Sequence, residues 1–242
     1  MHRFFAGDES FSRDSVVLTG TDASHICTVL RLRTGDKIQV LDGKGSLYVV
    51  QLADVKAKLV TGEIISSEKV NTESPLTIHL GQSLIKGNKF DVVLRKSVEL
   101  GVKTITPLMT ERTVVKSDGN KKIARWQKIA EESCKQCGRS SIPKVSENII
   151  KLDVFCEQGC EADLKLMFWE LESENGLKDI NPEKIPSSVS VLIGPEGGFT
   201  IEEVETARSH GFQTVSLGPR ILRAETAPLV VLSLLQSKWG DI

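Results

Sequence analysis

From residue 76 onward the chain alternates apolar strand-like segments with amphipathic helical segments, and this alternation constrains the fold more than any other feature. The strand-like segments cover residues 76–83, 104–108, 164–169, 189–193 and 214–217. The helical patterns between and after them cover residues 91–100, 119–136, 200–210 and 223–239. Such alternation predicts an α/β fold with a mostly parallel sheet that is covered by helices on both faces.

The beginning of the chain follows a different pattern, with short strands separated by turn residues. These strands are expected at residues 37–41, 47–52 and 59–65. One short helix is predicted at 22–30, and the polar stretch 66–75 is interpreted as a linker. Because a small β-barrel accommodates several short strands, we expect a β-barrel domain at 1–70 and an α/β domain at 74–242.

The charge of the chain is close to balanced overall but is unevenly distributed. Net charge is −1 over 242 residues, yet residues 86–151 hold 15 Lys and Arg against 7 Asp and Glu, whereas residues 152–212 hold 4 against 13. This asymmetry is typical of a basic surface for a polyanion, although solvated helix faces explain it equally well. The sequence lacks both an apolar run of the roughly 20 residues that span a membrane and an N-terminal apolar segment, which predicts a cytoplasmic protein without a membrane partner.

The five cysteines include two close pairs, Cys134 with Cys137 and Cys156 with Cys160, whose spacing superficially resembles a zinc site. The first pair lies within a helical pattern rather than on a zinc-binding turn. An odd number of cysteines in a reducing compartment favours free thiols. We therefore expect no metal.

The segment LIGPEGGFT, residues 192–200, ends an apolar strand in a glycine-rich turn. Thr200 and Glu203 have the spacing of a capping box, in which both side chains satisfy N–H groups at a helix start. No lysine or arginine lies in the turn, Glu196 would repel a phosphate, and both common phosphate-loop motifs are absent. The turn is therefore suited to a neutral or cationic part of a ligand, or it is a tight turn that needs glycine for its backbone alone.

A second segment, LGPRILRAETA at 217–227, places charged residues at another strand end and helix start. Glu225 is favoured near a helix N-terminus, whereas Arg220 and Arg223 are disfavoured there, which suggests that the arginines serve a purpose other than stabilising the helix. Pairing of Arg223 and Glu225 with other charges is the alternative. Ligands collect at the carboxyl ends of strands in open α/β sheets, so these two segments and the strand end at 168–170 are expected to meet in one pocket.

Together the two segments resemble those of the bacterial family that methylates N3 of a uridine in 16S ribosomal RNA, within the SPOUT superfamily. Further segments that resemble this family are residues 25–36, 74–102, 105–116 and 126–145. The region 152–190 is the least similar.

The resemblance implies a small PUA-like β-barrel domain, then a SPOUT α/β domain with a deep trefoil knot. It also implies S-adenosylmethionine as cofactor, a homodimer, and 16S ribosomal RNA within the 30S subunit as substrate. The positions that match the family's cofactor pocket are Phe168, Trp169, Glu170, Leu192, Ile193, Gly194, Pro195, Glu196, Gly197, Ser216, Leu217, Gly218, Arg220, Ile221 and Leu222.

Basic residues are expected to position the RNA through phosphate contacts. The candidates are Arg3, His25, Arg31, Arg33, Lys86, Lys89, Arg95 and Lys96. Because N3 of uracil carries a weakly acidic proton, methylation requires a base or a cation that stabilises the anion. Our hypothesis assigns the electrostatic role to Arg223, while Glu225 or Glu196 orients it or acts as the base.

Two rival functions remain open. Ribose 2′-O-methyltransferases of the same superfamily resemble this chain at the Gly/Pro/Glu turn, but they typically carry Ser-Leu-Asn in the last motif, where this chain has Arg-Ala-Glu-Thr-Ala at 223–227. A non-catalytic RNA-binding factor that has kept the fold is the other alternative, and the two intact pocket motifs disfavour it.

Overall fold

The structure is a computed structural model that describes residues 1–115, 119–158 and 161–242. It divides into two compact units. The first unit contains residues 1–73 and 134–142, and the second contains residues 74–133 and 143–242.

The first unit is built on a five-stranded sheet in the order β1-β3-β4-β5-β2. Its strands are β1 (Arg3–Phe5), β2 (Ser15–Thr19), β3 (Lys37–Leu41), β4 (Ser46–Lys56) and β5 (Leu59–Lys69). Only β1 and β3 pair in parallel, and the predicted β3–β4 hairpin is confirmed. The β4–β5 ladder shifts register twice, and such bulges increase strand bending and twist. Apolar side chains that include Phe4, Ile26 and Ile38 form the core of this unit.

One local prediction for the first unit is confirmed with changed bounds, and another was wrong. The short helix expected at 22–30 is present but starts earlier, as α1 (Gly20–Ser24), and continues as a π-helix at His25–Val29. The interpreted linker 66–75 begins inside β5, because residues 66–69 pair with residues 46–49 of β4. Backbone hydrogen bonds of a long hairpin form irrespective of side-chain polarity, so a polar sequence did not reveal this pairing.

The second unit is an α/β structure around a sheet in the order β12-β10-β11-β6-β7-β8, with β9 also paired to β7. Its strands are β6 (Thr77–Ser83), β7 (Thr104–Met109), β8 (Lys144–Val145), β9 (Ile150–Lys151), β10 (Leu164–Phe168), β11 (Ser188–Ile193) and β12 (Gln213–Val215). Every strand pair in the described part of this sheet is parallel, which confirms the predicted architecture. The interior strand β11 buries nearly all its side chains, as expected for a covered parallel strand.

The α-helices from residue 74 onward are α2 (Lys89–Glu99), α3 (Gly119–Cys137), α4 (Leu152–Glu157), α5 (Ile201–Ser209) and α6 (Ala227–Trp239), and the last four residues of α3 belong to the first unit. Helix α4 was not predicted, and it lies in the region 152–190, which resembles the family least. Helix α6 begins four residues later than predicted. The preceding residues instead form a turn in which Thr226 N–H donates to Arg223 O, and Pro228 then occupies the first turn of the helix. Arg223 and Glu225 therefore precede the helix rather than lying in it.

Helix α5 begins with the predicted capping box, which the structure confirms. Thr200 Oγ1 accepts a hydrogen bond from Glu203 N–H at 3.2 Å, and Glu203 Oε2 accepts one from Thr200 N–H at 2.9 Å. The other oxygen of Glu203 accepts from Glu111 N–H, also at 2.9 Å. This buried carboxylate thus fixes both the helix start and the segment that follows β7.

Two further observations concern membranes and metals. None of the helices among the described residues combines the length and apolar character needed to cross a bilayer. In the same residues, no three His, Cys, Asp or Glu side chains converge as a metal site requires. Cys160 lies outside the described residues, so the pair that it forms in the sequence with Cys156 is not described by the structure.

We expect Thr200→Ala to lower the free energy of unfolding by about 1 kcal/mol, because it removes the acceptor of the helix cap. Glu203→Ala is expected to cost about 2–3 kcal/mol, because two backbone N–H groups lose their acceptor. Urea unfolding measures both changes. Glu205→Ala, on the exposed side of the same helix, is the control and should stay within about 0.5 kcal/mol of wild type. An equal loss of unfolding free energy in all three variants would contradict the capping roles of Thr200 and Glu203.

Candidate active site

Three neighbouring strands end at one edge of the parallel sheet and open onto a cleft of about 820 Å³. Phe168 of β10 is in register with Ile193 of β11 and with Val215 of β12, so the three chains leave the sheet side by side. The residues that line this cleft are 168–170, 172–173, 193–198 and 216–225, together with Lys89 and Ala227. The predicted convergence of three strand ends is thus observed.

Of the positions expected to contact a cofactor, all but Leu192 line the cleft. Leu192 is fully buried in a core cluster with Met167 and Phe199. Successive side chains of a strand point to opposite faces, so Ile193 reaches the cleft and Leu192 does not. Arg223 and Glu225, the expected catalytic residues, also line it.

Several lining residues were not expected from the sequence. Gly198, Pro219, Ala224 and Ala227 lie inside or beside the two motifs, and the motifs could have indicated them. Glu172 and Ser173 follow β10 in a region without a clear pattern. Lys89 was expected only as an RNA contact, and it reaches the cleft from helix α2.

Contacts from distant segments hold the glycine-rich turn in place. Gly198 has φ of +68°, a left-handed conformation that favours glycine, and its N–H donates to Pro195 O at 3.0 Å. Arg112 Nη1 donates to Gly197 O at 2.7 Å. Glu196 Oε1 accepts a hydrogen bond from Lys86 N–H at 2.9 Å. Glu196 therefore joins the turn to the segment that precedes α2.

Glu172 organises the turn after β10, which forms another wall of the cleft. Its side chain is only 7% exposed and accepts hydrogen bonds from Thr214 Oγ1 at 2.6 Å and from Glu174 N–H at 2.9 Å. These hydrogen bonds, that of Thr214 first, hold the pKa of the Glu172 carboxyl below its usual value. Arg208 donates in turn to Thr214 Oγ1 at 2.7 Å and lies 6.0 Å from the Trp169 ring centroid.

An ion pair joins helix α2 to the last motif inside the cleft. Lys89 Nζ lies 2.9 Å from Glu225 Oε1, and the two side chains are 40% and 23% exposed. The second oxygen of Glu225, Oε2, is buried and has no hydrogen-bond partner among the described residues. The hydrogen bond from Lys89 is the main cause that lowers the pKa of Glu225, and the charge of Arg223 contributes.

The residues expected to contact RNA are distributed over both units. In the first unit, Arg3 Nε donates to Gln39 Oε1, His25 begins the π-helix, and Arg31 has a left-handed φ of +54°. Arg33, also in this unit, donates its backbone N–H to Asp36. In the second unit, Lys96 pairs with Glu99 on α2, where Arg95 is exposed. Of the residues expected to contact RNA, only Lys89 lines the cleft.

Comparisons with known proteins agree with this architecture. Residues 72–236 match the model of an RNA methyltransferase domain, and residues 18–65 match that of an RNA methyltransferase PUA domain. The fold and its cleft therefore define an RNA methyltransferase.

Individual relatives identify the family within this class. The ribosomal RNA small subunit methyltransferase E of Buchnera aphidicola (subspecies Acyrthosiphon pisum) is 33% identical, over 99% of this chain and 94% of that protein. The chain belongs to the family of ribosomal RNA small subunit methyltransferase E, which confirms the resemblance seen in the sequence.

Solved structures of similar proteins contain a ligand. The methyltransferase E of Neisseria gonorrhoeae, bound to S-adenosylmethionine, has a TM-score of 0.89 and 37% identity and covers 100% of this chain and 99% of its own. A Legionella pneumophila protein in complex with the same cofactor has a TM-score of 0.91 and 38% identity, over 99% of this chain and 98% of its own.

We expect Glu172→Gln to destabilise the protein at neutral pH and to do so less as the pH falls. A carboxyl whose pKa is lowered by folding stabilises the native state above its unfolded pKa of about 4.3, and this contribution is lost as the pH falls through the folded value. The difference in free energy of unfolding between wild type and variant should therefore narrow below about pH 4. Urea unfolding at several pH values measures it, with Glu174→Gln on the same turn as control. A difference that stays constant with pH would contradict this role.

Proposed function

We propose that this chain transfers a methyl group from S-adenosylmethionine to N3 of a uridine in the 16S ribosomal RNA of the small subunit. The observation that carries the proposal is that both motif turns and the end of β10 line one cleft that contains no phosphate-binding loop. The family and the cofactor in the two similar structures support the same reaction.

The residues of the cleft fit S-adenosylmethionine. Its volume of about 820 Å³ lies within the range of small-molecule sites. Phe168, Ile193 and Leu217 provide apolar surface for an adenine ring, and the turn at 194–198 provides backbone groups and close approach. When bound, S-adenosylmethionine supplies a methyl group on a positively charged sulfur, which leaves as S-adenosylhomocysteine. The acidic side chains of Glu170 and Glu196 suit a cationic ligand better than a phosphate.

Within this cleft we assign Arg223 to stabilise the negative charge that forms on the uracil ring when N3 loses its proton. Arg223 is exposed and lines the cleft close to Glu225. Glu225 has a lowered pKa and orients cations instead of taking the proton. Glu196 is held by Lys86 N–H, and its proposed role is to fix the turn.

Binding of the RNA is assigned to basic residues on both units. In the first unit they are Arg3, His25, Arg31 and Arg33, and in the second they are Lys86, Arg95 and Lys96. The proposed setting is the cytoplasm, with 16S ribosomal RNA inside the 30S subunit as substrate. A homodimer is supported by exposed apolar side chains on two packed helices, Val92 on α2 and Leu234 on α6.

The proposal is tested by incubating the purified chain with S-adenosylmethionine and small subunits from cells that lack the protein. Mass spectrometry of the digested RNA should reveal one new N3-methyluridine. A 2′-O-methylated nucleotide would favour the ribose methyltransferase instead. No methylation, together with no calorimetric binding of S-adenosylmethionine, would favour a non-catalytic RNA-binding factor.

Arg223→Ala should reduce kcat for methyl transfer about 100-fold or more, because a cation at the developing charge is lost. The calorimetric Kd for S-adenosylmethionine should change little. Lys184→Ala, an exposed cation in the acidic third of the chain, is the control and should retain full activity. Near-normal turnover by Arg223→Ala would remove this residue from the mechanism.

A further inference from the structure

Lys89 occupies a position that its expected role as an RNA phosphate contact does not explain. It is the first residue of α2, where the positive end of the helix dipole disfavours a cation. The nearby carboxylate of Glu225 offsets this cost through the 2.9 Å ion pair. Of the three cations that line the cleft, Lys89, Arg220 and Arg223, Lys89 alone makes an ion pair with a described residue within 4.0 Å.

The geometry of Glu225 favours a role in holding a cation over a role as the acceptor of a proton from the target uracil. Its Oε1 is ion-paired with Lys89, and its Oε2 is buried and has no hydrogen-bond partner among the described residues. A general base must come within hydrogen-bond distance of the proton that it removes. The carboxylate is therefore arranged to hold Lys89, which is the more exposed partner of the pair, with 40% of its side chain exposed against 23% for Glu225.

We infer that Lys89 is a catalytic residue whose ammonium group donates a hydrogen bond to a carbonyl oxygen of the target uracil as N3 ionises, and that Glu225 is the residue that positions it. This inference rests on the proposed function. An ammonium group has three N–H donors, and Glu225 Oε1 uses one of them. The other two make no hydrogen bond to a described residue, and we assign them to an oxygen of the substrate.

The step that Lys89 assists is the loss of the N3 proton. The N–H bond breaks, its electron pair stays on the ring, and the proton passes to water. The negative charge spreads onto O2 and O4, one on each side of N3. Two cations therefore suit this anion, Lys89 at one oxygen and Arg223 at the other. A preorganised donor aimed at developing charge lowers the barrier without a separate base.

The test compares two substrates that differ in N3 acidity. Reconstituted small subunits carry either uridine or 5-fluorouridine at the methylated position, and fluorine makes the N3 proton more acidic. Lys89→Gln should lower kcat on uridine about 100-fold, because one donor to the developing charge is lost. On 5-fluorouridine the loss of kcat should shrink to about tenfold or less, because a nucleobase with a more acidic N3 proton needs less stabilisation of its anion. Lys89→Arg, which keeps the charge, should retain most of the activity.

Binding measurements separate this role from simpler ones. The calorimetric Kd for S-adenosylmethionine and the filter-binding Kd for the small subunit should be unchanged in Lys89→Gln. Glu225→Gln should show a smaller loss of kcat that is also partly restored by 5-fluorouridine. Lys86→Gln is the comparison for a phosphate contact, and its loss should appear in KM and be equal on both substrates.

Three results would overturn the inference. These are unchanged kcat in Lys89→Gln, an equal loss on uridine and 5-fluorouridine, and a loss that follows weakened binding of S-adenosylmethionine or of the subunit. If wild type produces no N3-methyluridine, the proposed function itself fails. If wild type is active and Lys89→Gln is equally active, only the assignment of Lys89 fails.

Discussion

The parallel register of β10 with β11 and β12 is the constraint on which the cleft depends. Phe168 is opposite both Ile193 and Val215, so the three strands end at the same level. A shift of one residue in the register of β11 would exchange the faces of Ile193 and Leu192. Ile193 would then no longer line the cleft, and Leu192 would no longer pack in the core. The turns that follow the strands contain the candidate functional residues, and the hydrogen-bonded pairing of the strands fixes where these turns lie.

Carboxylates fix the conformation of the turns, which lie beyond the hydrogen bonds of the sheet. Glu203 caps α5 and also binds Glu111 N–H, Glu172 collects the donors around the β10 turn, and Glu196 binds Lys86 N–H. Each of these groups satisfies backbone or side-chain donors that would otherwise lack an acceptor. Some of the acidic residues between 152 and 212 therefore stabilise turns of the fold. The sequence alone did not distinguish them from acidic residues that are only exposed to solvent.

Much of the second unit could be predicted because strand and helix periods are local properties of the chain. The alternation predicted the parallel sheet, and Thr200 with Glu203 predicted the cap. Lys89 could not be assigned to the cleft, because several basic residues lie on or before α2 and only the packing of the helix selects one of them. The start of α6 was missed since Arg, Ala and Glu favour helices, whereas Pro228 in the first turn sets the boundary.

A cleft for this reaction has to satisfy two opposite electrostatic demands. The methyl donor is a cation and is repelled by an excess of positive charge, whereas the ionised uracil is an anion and needs positive charge nearby. An ion pair meets both demands, because Lys89 and Glu225 together are neutral and their combined field falls off faster with distance than that of a single charge. At hydrogen-bond distance the ammonium group still attracts a carbonyl oxygen more strongly than the more distant carboxylate repels it. Because the hydrogen bond from Lys89 lowers the pKa of Glu225, this carboxylate stays ionised to a lower pH than an ordinary glutamate.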